Sequence, residues 1–143
     1  MTILAYSLSA VLAVISAMHL YWAFGGIWPA RSEQTLARTV VGMRNITRMP
    51  SRGMTVAVVV CLAVAAVWPL SVAGVVGPDM PVWFAGAGTI ILAAVFLLRG
   101  TAGMVSLMDR RFPEEPFITL NRQIYSPLCF AIGAGFLGLG LNI

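Results

Sequence analysis

The sequence predicts an all-α fold: one integral membrane domain over residues 1–143, built as a bundle of four transmembrane helices. Two observations carry this. Apolar stretches of about twenty residues, the length that crosses a bilayer core, recur along the chain. Of nine arginines and five carboxylates, all but Asp79 and Arg99 fall inside two short segments, 31–52 and 109–122. Charge is confined to two patches instead of spread over a solvated surface, as expected when the solvent is lipid. The chain is 10% charged and 59% hydrophobic, whereas about a quarter of a soluble domain is charged.

The first apolar stretch runs from Ile3 to about Gly26. It has no basic residue ahead of it, its apolar run is long, and no small-residue cleavage site precedes the arginines, so it reads as a retained helix and not a signal peptide. The second runs from about Gly53 to Val76 and contains Pro69, which should kink it or end its regular part near Trp68. Gly77-Pro78-Asp79-Met80-Pro81 is a compact turn, since two prolines and a glycine cannot continue a helix. The third helix is expected from about Val82 to Met108, leaving the apolar zone after Leu98. The fourth is expected from Pro127 to Ile143, with Ser126 as N-cap and Pro127 in the first turn. The connection from Arg31 to Arg52 interleaves Arg38, Val41, Arg44, Ile46 and Arg48. That pattern fits a short interfacial helix or a plain loop.

Orientation follows from arginine. The two charged segments are the first and third connections and hold eight arginines; the second connection and both termini hold none. Arginine and lysine are enriched on the cytoplasmic side, so both termini and the proline-rich turn are expected on the outer side, which is the periplasmic one if the membrane is bacterial. The pI near 9.8 does not point to nucleic acid, because the cations border membrane segments instead of forming a basic face with stacking aromatics.

Helices in lipid associate through close packing of small residues. Helix 1 offers Ser9, Ala13 and Ala17; helix 3 offers Ala85, Thr89 and Ala93; helix 4 offers Ala131 with Gly135 and Ala134 with Gly138. Trp68 and Trp83 sit where an outer aromatic belt is expected, and Tyr21, Trp22, Trp28 and Tyr125 where an inner one is. These faces are compatible with a homo-oligomer or with docking into a larger membrane complex.

Few residues could carry chemistry. His19 is the only histidine, near the inner end of helix 1 with Ser16 one turn earlier. Its plainer reading is a hydrogen-bond donor across the bundle; the functional one is a ligand, a proton carrier or a polar anchor for a bound headgroup. A haem or metal site is a weaker reading: one histidine supplies one ligand, no carboxylate is embedded, and a partner would have to be Met, Cys or a second subunit. No cofactor is therefore expected. Arg99 lies apart from both charged segments. It either snorkels to the inner interface or turns inward to an acceptor such as Asp109, a backbone carbonyl or an anionic ligand, for which the guanidinium fork is suited. Cys61 and Cys129 lack a Cys-x-x-Cys arrangement and read as small core residues.

The run His19-Leu20-Tyr21-Trp22-Ala23-Phe24-Gly25-Gly26-Ile27-Trp28-Pro29 resembles the first-helix signature of a bacterial membrane family known as domain of unknown function 3995. Phe96-Leu97-Leu98-Arg99-Gly100 and Leu120-Asn121-Arg122-Gln123-Ile124-Tyr125-Ser126-Pro127-Leu128-Cys129 continue the resemblance, in order, over nearly the whole chain. Two positions depart from it: Asn121 stands where an aspartate often precedes the Arg122 region, and Gly103-Met104 replace an acidic residue after Arg99. The resemblance implies a four-helix membrane protein and no particular activity.

On this topology the family-like polar residues share one end. The leading expectation is a pocket in the cytoplasmic leaflet that binds an anionic amphipathic ligand such as a lipid headgroup. His19 and Tyr125 would hydrogen-bond it, Arg99 and Arg122 would pair with its charge, and Trp22 would wall the pocket, with Asn121 a further ligand-site residue at the entry to the fourth helix. Membrane lipids are thus the expected partners, with no catalytic residue and no metal. One rival is an accessory subunit of a larger membrane complex. Another is an enzyme or redox protein acting on a lipid or quinone, for which His19 is the only convenient base.

Overall fold

The computed structural model describes the backbone of residues 1–143 and the side chains of all except residues 106–108. Its elements are α1 (Thr2–Ala23), α2 (Glu33–Val40), α3 (Arg52–Val72), α4 (Val82–Met104), α5 (Ser106–Arg111), α6 (Phe117–Leu120), a π-helical turn (Asn121–Tyr125) and α7 (Ser126–Gly140). From Phe117 to Gly140 the last three run on as one helix, which joins α1, α3 and α4 as the four helices long and apolar enough to cross a membrane.

Several helix ends differ from those read in the sequence, each for a local reason. α1 stops at Ala23, before Gly26, because Gly25 turns to φ +87° and the N–H groups of Gly25 and Gly26 fold back onto the carbonyls of Trp22 and Tyr21. Pro69 does not end α3 near Trp68; it is buried and the helix runs on to Val72. A proline costs its helix one hydrogen bond, which the last turn tolerates. α4 ends at Met104, short of Met108, where Val105 adopts extended backbone. The fourth membrane helix begins at Phe117, well before Pro127, so Ser126 is an interior residue and not an N-cap. The turn ahead of Pro127 is widened to i→i+5, with the Ser126 N–H donating to the Asn121 carbonyl. A wider turn accommodates a ring that lacks an N–H.

The spanning helices pack as two pairs, α1 with α3 and α4 with α7. In the first pair Ala5, Leu8, Leu12 and Ser16 of α1 are buried, with Ala65 and Ala66 of α3, and the Ser16 hydroxyl donates to the Val59 carbonyl at 3.1 Å. In the second, Leu97 lies against Gly133, Phe130 against Gly100, and Phe96 stacks on Phe136 at 6.0 Å. Leu8 against Gly135 joins the pairs on one side. On the other, Trp68 lies over Gly88 and its indole N–H donates to the Thr89 hydroxyl at 3.1 Å. An interhelical hydrogen bond in a membrane is worth about 0.6 kcal/mol on average, so interdigitation contributes more here than polar contact. Of the small faces expected, Ala85, Thr89 and Ala93 are buried, while Ala13, Ala17, Ala131 and Ala134 face outward. On the fourth helix the glycine of the expected Ala131–Gly135 face is the one in use, receiving Leu8, while Ala131 stays outside.

Met1, Gly74, Asp79, Asn142 and Ile143 border a common recess, so both termini and the α3–α4 turn meet at one end of the bundle. The other end carries α2, α5, α6 and the two charged segments. There α2 lies earlier than the arginine-interleaved stretch suggested, capped by the Ser32 hydroxyl, which accepts the Thr35 N–H at 3.2 Å. Leu36 and Ala37 are fully buried.

Close packing at Gly133 is testable. A Cβ there would stand 2.7 Å from Leu97 Cγ and 3.2 Å from the Ala93 carbonyl, whereas at Gly86 it would meet nothing within 4 Å. Gly133→Ala should lose about 1–3 kcal/mol in detergent unfolding, and Gly86→Ala should lose none. Equal behaviour of the two variants would refute the packing role.

Candidate functional site

The π turn determines which side chains meet at the charged end. In an α-helix residues five apart point about 140° from each other. Across an i→i+5 turn they come nearly into line, and Asn121 and Ser126 both face inward and are buried. The Ser126 hydroxyl makes a long 3.5 Å contact to Asn121 Oδ1, and Asn121 Nδ2 donates to the Gly103 carbonyl on α4 at 2.9 Å. Gly103 is what permits this approach. A Cβ there would overlap Ser126 Oγ and stand 2.8 Å from Arg99 Nη1 and 2.9 Å from Asn121 Nδ2.

Arg99 turns inward onto this turn. Its Nη2 donates to Asn121 Oδ1 at 2.9 Å. Its Nη1 is buried with no hydrogen-bond partner, alone in this among the described side chains. A buried donor left unpaired costs about 1–3 kcal/mol, and Asn121 is neutral, so among the described residues the guanidinium has neither its full set of acceptors nor a countercharge within ion-pair distance. It borders a cavity of about 250 Å³ lined by Val40, Val41, Asp109, Phe112, Phe117, Ile118 and Asn121. Asp109, considered in the sequence as a partner for Arg99, lines the same cavity but is ion-paired with Arg122.

The six residues singled out in the sequence thus fall into separate settings. Arg99 and Asn121 are hydrogen-bonded at one cavity. Arg122 is spent on Asp109. The Tyr125 hydroxyl donates to the Thr39 carbonyl at 3.2 Å, tying the fourth membrane helix to α2. His19 and Trp22 line a second cavity of about 190 Å³ with Val40, Val41, Met49, Pro50, Met54, Thr55 and Val58. Val40 and Val41 border both cavities and stand between the two groups. His19 Nδ1 is 2.8 Å from the Ile15 carbonyl, and the imidazole meets Trp22 edge-on at 5.0 Å. Trp22 in turn donates to the Trp28 carbonyl at 2.8 Å. Among the described residues no three His, Cys, Asp or Glu side chains converge as a metal site would need.

Glu114 escaped the sequence reading, and it fastens the charged end together. It accepts from the Asn45 N–H at 2.9 Å and from Arg38 Nε at 2.8 Å, and its own N–H donates to the Gly42 carbonyl at 3.3 Å. One carboxylate therefore joins α2, the loop after it and the segment before α6. The Asn45 N–H, then the Arg38 guanidinium, hold its carboxyl below the ordinary value of 4.5. Gly42, at φ +72°, lies against the Phe117 ring where a Cβ would collide with it. Within Phe112-Pro113-Glu114-Glu115-Pro116-Phe117, two prolines bracketing a glutamate pair were the available signal: a rigid turn that aims a carboxylate.

A profile of the family described as Protein of unknown function (DUF3995) matches residues 12–136. The chain belongs to that family. The match covers every residue that lines the two cavities, from His19 to Asn121, so both cavities lie within the family's own domain. No curated protein and no solved structure matches the chain.

The Glu114 junction should respond to acid. Its folded-state pKa is depressed, so its contribution is complete above about pH 4.5 and disappears as pH falls through the lower folded value. Glu114→Gln should raise amide exchange at Asn45 at neutral pH, after correction for intrinsic rates. Acidification should raise it in the wild type and add little in the variant. An Asn45 amide equally protected in both at neutral pH would remove Glu114 from this role.

Proposed function

We propose that this is a multi-pass protein of a bacterial cytoplasmic membrane that binds the anionic headgroup of an amphipathic ligand at Arg99, in the leaflet facing the cytoplasm. The observation that carries the reading is the Arg99 guanidinium: inward, hydrogen-bonded among the described residues to a neutral amide, with its buried Nη1 amino group finding no partner among them. A cation so placed gains more from an anion than a solvated arginine does, because the surrounding dielectric is low. The adjoining cavity of about 250 Å³ is smaller than the ~300–1,000 Å³ of pockets for drug-sized ligands, and suits a headgroup whose chains remain in the lipid. Phe112, Phe117 and Ile118 supply apolar wall, and Asn121 holds the guanidinium at a fixed angle. His19, Trp22, Arg122 and Tyr125 support the site from outside it, through the neighbouring cavity, the Asp109 pair and the bond to α2.

The orientation rests on the placement of eight arginines at the α2–α5–α6 end and none at the other. With that end in the cytoplasm, a reporter active only in the cytoplasm should stay silent when fused after Ile143. A bright fusion would reverse the assignment.

The binding reading has two tests on one residue pair. Arg99→Gln should strip co-purifying anionic lipid, read by mass spectrometry of protein released from detergent. Asn121→Asp should reduce it by about tenfold, since a carboxylate beside Arg99 supplies the countercharge internally and competes with the ligand. Lipid content unchanged in both variants, with native helical content, would eliminate the proposal.

A second reading, an accessory subunit of a larger membrane complex, is supported by the outward-facing Ala13, Ala17, Ala131 and Ala134. These small residues are exposed on the outer surface of the bundle. Native-gel mass in mild detergent separates it from the first reading: a complex far heavier than the chain favours the subunit, and a lone chain carrying lipid favours headgroup binding.

A further inference from the structure

The cavity beside His19 has a donor set unlike that of the Arg99 cavity. Its wall holds one imidazole, two thioethers (Met49 and Met54) and the indole of Trp22, and no carboxylate or cation. The three donor residues come from different places: His19 from α1, Met49 from the loop before α3, and Met54 from the first turn of α3.

The tautomer of His19 is set by its surroundings. Nδ1 lies 2.8 Å from the Ile15 carbonyl, which has no proton to offer, so Nδ1 is the donor of this bond and Nε2 is the nitrogen left to serve as a ligand in the neutral ring. Metal-ligating histidines typically donate their other ring N–H to a backbone carbonyl or carboxylate, which fixes the ring and raises the basicity of the ligating nitrogen. The edge contact with Trp22 at 5.0 Å holds the same ring from the side. Nothing in the protein accepts from or donates to Nε2 among the described hydrogen bonds of His19.

We propose that this cavity binds a single copper(I) ion through His19 Nε2 and the sulfurs of Met49 and Met54. Soft thioethers select copper(I) among biological cations, and imidazole accepts it, whereas magnesium and calcium require oxygen donors. All three donors are neutral. Binding therefore forms three coordinate bonds, releases no proton and transfers no electron, and the occupied site carries the ion's single positive charge. Zinc(II) would be left with two charges in a site without an anionic ligand. The Trp22 indole adds a π face beside the cation.

The experiment is a titration of purified full-length protein in detergent with copper(I), without oxygen, against a colorimetric copper(I) chelator. One ion per chain should be withdrawn from the chelator, with zinc(II) at the same concentration leaving it undisturbed. His19→Ala and the double variant Met49→Leu/Met54→Leu should each weaken retention by about tenfold or more. Leucine preserves volume in the double variant, so it decides the matter even if His19→Ala fails to fold. X-ray absorption of the complex should show sulfur as well as nitrogen around copper. A wild-type chain that takes no copper from the chelator overturns the proposal, and so does copper held equally by the double variant. Cys61→Ser/Cys129→Ser should retain the ion; its loss there would transfer the site to the thiols and overturn this one. Arg99→Gln should also retain it, which keeps the result separate from headgroup binding; loss of copper in that variant with none in the double variant overturns it as well.

Discussion

A chain surrounded by hydrocarbon cannot leave its peptide groups to water, and every departure from regular helix within the membrane has to be satisfied by the protein itself. That constraint runs through the whole molecule. The only departure inside the fourth membrane helix, the π turn at Asn121–Tyr125, stays bonded through the Ser126 N–H and opens toward the interior. What it turns inward is an amide and a hydroxyl, and those in turn draw in Arg99 and require a glycine opposite, at Gly103. The polar centre of the protein is thus built on the widened turn that precedes Pro127.

The same constraint explains how little of each spanning helix is enclosed. Between 17% and 28% of the membrane-length windows is buried within the protein, so the remaining surface depends on lipid for its environment. Ile90, Ile91, Val95 and Leu98 form an outward face of α4 that no partner helix covers. The interior is narrow, and its specificity comes from a few notches: Gly100, Gly133 and Gly135 receive Phe130, Leu97 and Leu8.

The helical class and the four membrane-length segments were legible because hydropathy and charge segregation report directly on the solvent. The isolation of Arg99 was legible for the same reason, since a lone arginine in an apolar run has to be accommodated somehow. Helix boundaries were less so. Pro127 after Ser126 reads as a helix start, and only the three-dimensional path shows that a widened turn carries the helix back to Phe117. The sharing of one pocket by His19 and Arg99 follows from topology and the family-like motifs, and neither reports what lies between. The partition comes from α2, whose position depends on Glu114, a residue remote in sequence from Arg38 and Asn45. Pairings across such distances leave no periodic trace in one sequence.

Val40 and Val41 are the thinnest part of this architecture, one apolar wall with a cavity on each face. The wall hangs from a short helix held by the Glu114 carboxylate and the Tyr125 hydroxyl. An occupant that displaces it on one side changes the volume available on the other. Any coupling that such a displacement produced would have to be reciprocal: whatever factor one occupant imposed on the affinity of the second, the second would impose on the first.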